Sequence, residues 1–113
     1  MELRDLQTRC YEQSKAAGFH DRDDKVGAVD RLMLTVSELS EALEELRDGH
    51  AVNEVYFRPD KPTKPEGFPV ELADALIRIL DLAETSGIRD FDRIVAQKLN
   101  YNLTRGYRHG KVL

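Results

Sequence analysis

The chain has 113 residues, of which 41% are hydrophobic and 34% are charged, and its net charge is −4. This length is typical of one domain over residues 1–113, and the composition excludes a disordered chain. No apolar run is long enough to span a bilayer and the N-terminus has no apolar leader, so we expect a cytoplasmic protein with no membrane partner.

The first two predicted helices are defined by apolar residues spaced three or four positions apart. The first covers about residues 3–17 and ends at Gly18, and the second covers about residues 26–48 and ends at Gly49. The acidic stretch HDRDD is expected to cap the second helix. The predicted buried face of this helix consists of Val29, Leu32, Val36, Leu39, Leu43 and Leu46.

Prolines interrupt the helical pattern in the middle of the chain. The stretch RPDKPTKPEGFP cannot lie inside a helix, so we predict an extended, proline-rich loop over residues 50–68. A loop of this length in a small domain is more often functional than idle.

Two further helices follow the loop. The third begins with Pro69 and ends at Gly87, and its many apolar residues predict that it is the most buried helix. The fourth begins at the N-cap Asp90 and ends near Thr104. Since no segment shows strand-like alternation, the sequence predicts an all-α, four-helix bundle-like fold with the long proline-rich loop between helices two and three.

Two pairs of acids occupy matching positions on helices two and three. Glu38 and Glu41 form an E-x-x-E pair, and Glu71 and Asp74 form an E-x-x-D pair on a helix too apolar to leave charges unpartnered. Four oxygen ligands suit Mg²⁺ or Mn²⁺. If the two acid pairs face each other across neighbouring helices, they predict a site for a metal ion that assists attack on a phosphate. A solvated helix face is the alternative for either pair alone.

The C-terminal segment is basic, since five basic residues and no acid follow Asp92. This end can complement a polyanion held through metal ions, and a solvated helix end is the alternative. The net negative charge of the chain argues against a nucleic-acid polymer as partner.

The ordered combination of SELSE, KPEGFPVELADALIRIL and KLNYNLTRGYRHGK resembles the MazG-like nucleoside triphosphate pyrophosphohydrolases, an all-α family. The resemblance covers nearly the whole chain from about residue 26. It implies a Mg²⁺-dependent enzyme, with Mn²⁺ as a substitute, that cleaves a dNTP or modified NTP to the monophosphate and pyrophosphate. It also implies a homodimer or a dimer of dimers.

The resemblance assigns roles to individual residues. It makes Glu38, Glu41, Glu71 and Asp74 the metal ligands, with Glu38 and Glu41 as catalytic residues. Of these two we choose Glu41 to orient or deprotonate the attacking water. The residues implied to bind the substrate are Lys98, Asn102, Arg105, Arg108 and Lys111.

Other functions remain open on the same residues. One alternative is a phosphoribosyl-ATP pyrophosphohydrolase, which is a related enzyme. Another, which is not an enzyme, is a catalytically silent helical module that binds nucleotide or dimerises. Some relatives stack the base on tryptophan, which this chain lacks, so Tyr11, Phe19 and His20 are the aromatic candidates and the base preference is unassigned.

Overall fold

A computed structural model describes residues 1–113, and the chain is mostly helical with one small antiparallel sheet. The four predicted helices are confirmed, and none of them is both long and apolar enough to cross a membrane. The elements in chain order are α1 (Leu3–Ala16), α2 (Ala28–Arg47), β1 (Tyr56–Arg58), β2 (Lys61–Glu66), α3 (Phe68–Thr85), α4 (Phe91–Leu103) and a 3₁₀ turn (Tyr107–Gly110).

Helix α3 is the central element of the fold, because it packs against both α1 and α2. It holds four buried residues, more than any other helix, so the prediction that the third helix is the most buried is confirmed. Helix α4 has no buried residue and contacts mainly α1. The core of a single chain is therefore built by three helices.

A buried polar group joins α1 to the end of α3. Gln7 is fully buried, and its Nε2 donates to Glu84 Oε2 at 2.9 Å and to the carbonyl oxygen of Ile88 at 2.7 Å. Arg4 Nη1 donates to the same Glu84 oxygen at 2.7 Å. This hydrogen bond to Arg4 is the main reason why the pKa of Glu84 is lowered.

The prediction of which residues of α2 are buried is wrong for the single chain. The residues of α2 that are buried are Thr35, Glu38 and Ala42, so the helix turns a small and polar side inward. Leu46 is half-buried, and the other predicted core residues are 48% to 75% exposed: Val29, Leu32, Val36, Leu39 and Leu43. Periodicity correctly identified an apolar stripe, but could not tell whether its partner lies in the same chain.

The prediction of an extended loop over residues 50–68 holds only in part, because β1 and β2 form an antiparallel hairpin there. The register pairs Tyr56 with Glu66 and Arg58 with Lys61. Proline is tolerated because each strand of a two-stranded sheet has one edge that needs no N–H donor. The hairpin is held to α2 by the Tyr56 hydroxyl, which donates to Glu45 Oε2 at 2.8 Å.

The start of α2 is capped from within the helix. The backbone N–H of Gly27 donates to Asp30 Oδ2 at 3.0 Å. The expected capping by the HDRDD stretch is wrong, because its Asp23 instead bonds the side chains of His20 and Arg31.

Candidate metal centre and adjoining cavity

Three acids meet where α2 packs against α3. Glu38 lies in the middle of α2, whereas Glu71 and Asp74 lie in the first two turns of α3. One carboxylate oxygen from each of the three lies within 4.8 Å of the others. Spacing of three residues puts Glu71 and Asp74 on one side of α3, and the packing of α2 brings Glu38 to that side.

Burial and mutual repulsion raise the pKa of two of these acids. Desolvation, followed by the carboxyl of Glu41 and the charges of Asp74 and Glu38, raises the pKa of Glu71 to about 7. Burial and the charge of Glu38 raise the pKa of Asp74, and the charge of Arg78 opposes them. Because the ionised cluster is unfavourable when empty, a cation bound among these oxygens would lower both pKa values.

Glu41 lies next to Glu71 but on the exposed side of the cluster, with its carboxyl within hydrogen-bonding reach of the Glu71 carboxyl. Glu71 Oε2 is buried and has no donor beside it, so the two carboxyls bond each other only while one of them holds a proton. A divalent cation is the other kind of partner that satisfies such an oxygen.

Arg78 supplies the positive charge closest to the acids. Its Nε donates to Glu38 Oε1 at 2.8 Å, and the Glu38 side chain is only 11% exposed. The sequence patterns gave Arg78 no role in the site.

A cavity of about 730 Å³ adjoins the acids and includes Glu38 and Asp74 in its wall. Its other walls come from α1, α2, α3 and the connection between α1 and α2. The volume is in the range of small-molecule sites, which is about 300–1,000 Å³. Three arginines line the cavity and suit an anionic ligand: Arg22, Arg31 and Arg78.

Of the three aromatic candidates, Phe19 lies in the cavity wall. The His20 side chain is 4% exposed, and Tyr11 packs against it with 4.9 Å between the ring centroids. Phe19 is therefore the aromatic face that a ligand in the cavity can reach.

Lys98 lies on α4 and Arg105 lies just after the end of this helix, and both are close to the ring of Tyr101. Lys98 Nζ lies 4.9 Å from the centroid of Tyr101, and the guanidinium carbon of Arg105 lies 5.9 Å from it. The side-chain oxygen of Asn102 is buried and has no hydrogen-bond partner.

The two predicted residues of the tail are exposed. Arg108 Nη1 donates to the carbonyl oxygen of Val112 at 3.1 Å, and the backbone N–H of Lys111 donates to the Arg108 carbonyl oxygen at 2.8 Å. No hydrogen bond or ion pair joins any of the five predicted substrate ligands to the four acids within one chain.

A second polar cluster, which the sequence patterns did not predict, includes Arg31 and Asp81 of the cavity wall. His20 Nδ1 lies 2.9 Å from Asp23 Oδ2, and His20 Nε2 lies 2.9 Å from Asp81 Oδ1. Arg31 pairs with both of these aspartates. The available signal was Asp81, an acid on the apolar third helix that required a partner.

Comparison of the chain with protein-family models, with curated proteins and with solved structures gives no match.

Proposed function

We propose that this protein is a Mg²⁺-dependent nucleoside triphosphate pyrophosphohydrolase of the MazG-like type, which hydrolyses a dNTP or modified NTP to the monophosphate and pyrophosphate. The observation that carries the proposal is the meeting of Glu38, Glu71 and Asp74 at a cavity large enough for a nucleotide. The sequence resemblance supplies the reaction, and the residues around the cavity supply chemistry that suits it.

The acids fit the metal that the resemblance implies. Carboxylate oxygens are the ligands that Mg²⁺ and Mn²⁺ prefer, and a cation would satisfy the buried Oε2 of Glu71, which accepts no hydrogen bond. Glu38, Glu71 and Asp74 would hold the ion, with Glu41 at their exposed side as a further ligand. When bound, Mg²⁺ would neutralise charge on the phosphates and favour their displacement.

Glu41 is our choice for the residue that orients the attacking water and accepts its proton, because it is the exposed member of the four acids. The water oxygen forms a bond to the α-phosphorus while the bond from that phosphorus to the α–β bridging oxygen breaks. Pyrophosphate leaves with the electron pair, and the water proton passes to Glu41.

Cations of the chain hold the substrate in this proposal. Arg22 and Arg78 line the cavity and offer charge to the phosphates. The predicted ligands of the fourth helix and the tail would act on the leaving pyrophosphate after assembly with a second copy: Lys98, Asn102, Arg105, Arg108 and Lys111.

Self-association completes the proposal, with a homodimer or a dimer of dimers as the working unit. Only 10 of 113 residues are buried in one chain, whereas the apolar stripe of α2 is exposed. Leu72, Leu76 and Ile79 add an exposed apolar row on α3. Packing these faces against a second copy would bury them and give a four-helix bundle with helices from both chains.

Incubation with Mg²⁺ and a panel of ordinary and modified dNTPs tests the activity, with monophosphate, pyrophosphate and phosphate measured separately. We expect pyrophosphate in equal amount to the monophosphate, and at least about 100-fold less of both from Glu41→Gln. Glu44→Gln is the matched control, because Glu44 is an exposed acid on the same helix whose partner is Arg47.

Two results would contradict the proposal. One is the absence of pyrophosphate from every nucleotide, with wild type and Glu41→Gln indistinguishable. The other is tight nucleotide binding without turnover, which would favour the catalytically silent module.

A further inference from the structure

The connection between α1 and α2 is attached to α3 by one side chain. Among residues 18–26, only His20 forms a side-chain hydrogen bond with α3, through the 2.9 Å contact of its Nε2 with Asp81. The His20 ring is 4% exposed, and the Asp81 side chain is 11% exposed. This contact therefore crosses from a surface connection into the protein interior.

The groups around His20 form one connected polar cluster. Its two ring nitrogens each lie 2.9 Å from a carboxylate oxygen, Nδ1 from Asp23 and Nε2 from Asp81. Arg31 pairs with both of these aspartates as well. Removing the imidazole would leave the Asp81 carboxylate, which is only 11% exposed, without its closest hydrogen-bond partner.

The residues next to His20 in sequence belong to the cavity. Phe19 precedes it and Arg22 follows two positions later, and both line the cavity that contains Glu38 and Asp74. Phe19 is 67% exposed, so burial of its own ring does not fix its position. Arg31 of α2 contacts the same connection through Asp23, and the bond from His20 is the side-chain hydrogen bond that joins it to α3, the helix that carries Asp74.

We propose that His20 is a positioning residue, which fastens the α1–α2 connection to Asp81 so that Phe19 and Arg22 line the nucleotide cavity. This inference rests on the proposed function, because it assigns the two cavity residues to substrate. Phe19 would contact a planar base, and Arg22 would face a phosphate. His20 touches neither substrate nor metal, and it acts through the conformation of the connection.

Hydrogen exchange of the metal-free, nucleotide-free protein tests the attachment without reference to activity. In His20→Ala we expect the amides of residues 18–26 to exchange about tenfold faster, with α2 and α3 unchanged. Asp24→Asn is the matched control, because Asp24 lies in the same connection and its side chain makes no hydrogen bond or ion pair. Unchanged exchange of residues 18–26 in His20→Ala would overturn the attachment.

His20→Asn provides a milder variant in case His20→Ala unfolds. The asparagine amide can take the place of ring Nδ1, which faces Asp23, but it is too short to replace Nε2 at Asp81. We expect a smaller but measurable increase in exchange, confined to residues 18–26. Exchange equal to that of Asp24→Asn would count against the proposal.

Binding of a fluorescent N-methylanthraniloyl dATP in the presence of Ca²⁺ tests the consequence for substrate. We expect His20→Ala to weaken the affinity about tenfold while the affinity for Mn²⁺ alone stays unchanged, because the acids lie on other elements. If wild type binds the probe and His20→Ala binds it equally well, the positioning role is wrong. If wild type binds no nucleotide, the proposed function fails, and hydrogen exchange still decides whether the attachment exists.

Discussion

Arg78 donates from Nε to Oε1 of Glu38 at 2.8 Å, so the most buried acid of the candidate metal centre is already paired with a cation of the chain. A divalent ion bound by Glu38 would share that carboxylate with Arg78 or displace it. Arg78 also lines the cavity, where a phosphate would offer the guanidinium another partner.

Replacing Arg78 by glutamine is expected to strengthen the binding of Mn²⁺ to the nucleotide-free protein. Removal of the positive charge makes the site more negative and releases Glu38, and we expect the affinity to rise about three- to tenfold. Titration followed by electron paramagnetic resonance of free Mn²⁺ measures this change directly.

Arg47→Gln is the control for that experiment. Arg47 also pairs with a glutamate at 2.8 Å on α2, but both side chains are more than half exposed, so the Mn²⁺ affinity should not change. Weaker Mn²⁺ binding by Arg78→Gln would contradict competition between Arg78 and the ion for Glu38. It would indicate that Arg78 holds Glu38 in its metal-binding conformation.

The raised pKa of Glu71 predicts how stability depends on pH in the metal-free protein. Its value of about 7 lies above the ordinary value of 4.5, so the folded state binds a proton that the unfolded state releases between these limits. The stability that this proton gives the folded state is fully present below about pH 4.5 and is lost as the pH rises through 7. Thermal unfolding should therefore show Glu71→Gln gaining stability relative to wild type between pH 5 and pH 8.

The affinity for Mn²⁺ should depend on pH in the opposite direction from the stability of the metal-free protein. Because the ion requires the ionised carboxylate, its affinity should rise about tenfold per pH unit below 7 and level off above it. Glu44→Gln, which lies outside the site, should retain the wild-type profile. A flat Mn²⁺ affinity between pH 5.5 and pH 8 would show that Glu71 ionises independently of the metal.

Local sequence signals predicted the helices well. Gly18, Gly49 and Gly87 marked the ends of three helices to within two residues, because a glycine after the last turn readily adopts positive φ. The acids Glu71 and Asp74 were found together because their spacing fixes their relation on one helix.

The remaining features depend on contacts between elements that are distant in sequence. The hairpin was missed because β1 has only three residues, β2 contains two prolines, and neither strand shows an alternation of apolar and polar residues. The pairing of Arg78 with Glu38 requires α2 and α3 to pack in one register, which no local pattern specifies. The stripe containing Leu39 was placed in the core because periodicity does not reveal whether an apolar face meets its own chain or another.

Leu39 tests the proposed assembly. It is 49% exposed in one chain and lies on the apolar stripe of α2, so a charge at this position would be buried without a partner in a dimer. We expect wild type to sediment as a dimer or tetramer at micromolar concentration and Leu39→Lys to sediment as a monomer.

Leu103→Lys is the control for assembly, because Leu103 is 84% exposed at the end of α4 and lies outside the stripe. It should keep the sedimentation of wild type. A wild-type protein that is strictly monomeric under these conditions would refute self-association through this face.

Gly67 connects the hairpin to the helix that carries Glu71, and we expect substitution by alanine to be strongly destabilising. Its φ of +127° is unfavourable for any residue with a side chain, and an added Cβ would overlap the carbonyl oxygen of Glu54. Its carbonyl oxygen also accepts the N–H of Glu71 at 3.1 Å, in the first turn of α3. Urea unfolding should show a loss of about 2–4 kcal/mol, together with weaker Mn²⁺ binding.

Gly87→Ala separates the effect of an unfavourable positive φ from the effect of a steric clash of the added Cβ. Gly87 also has a positive φ, +79°, but a Cβ there would meet no atom within 4 Å. Its loss of stability should be only about 1 kcal/mol, which is the conformational contribution alone, and Mn²⁺ binding should be retained. Equal losses in the two variants would mean that Glu54 moves aside and that the hairpin does not fix the start of α3.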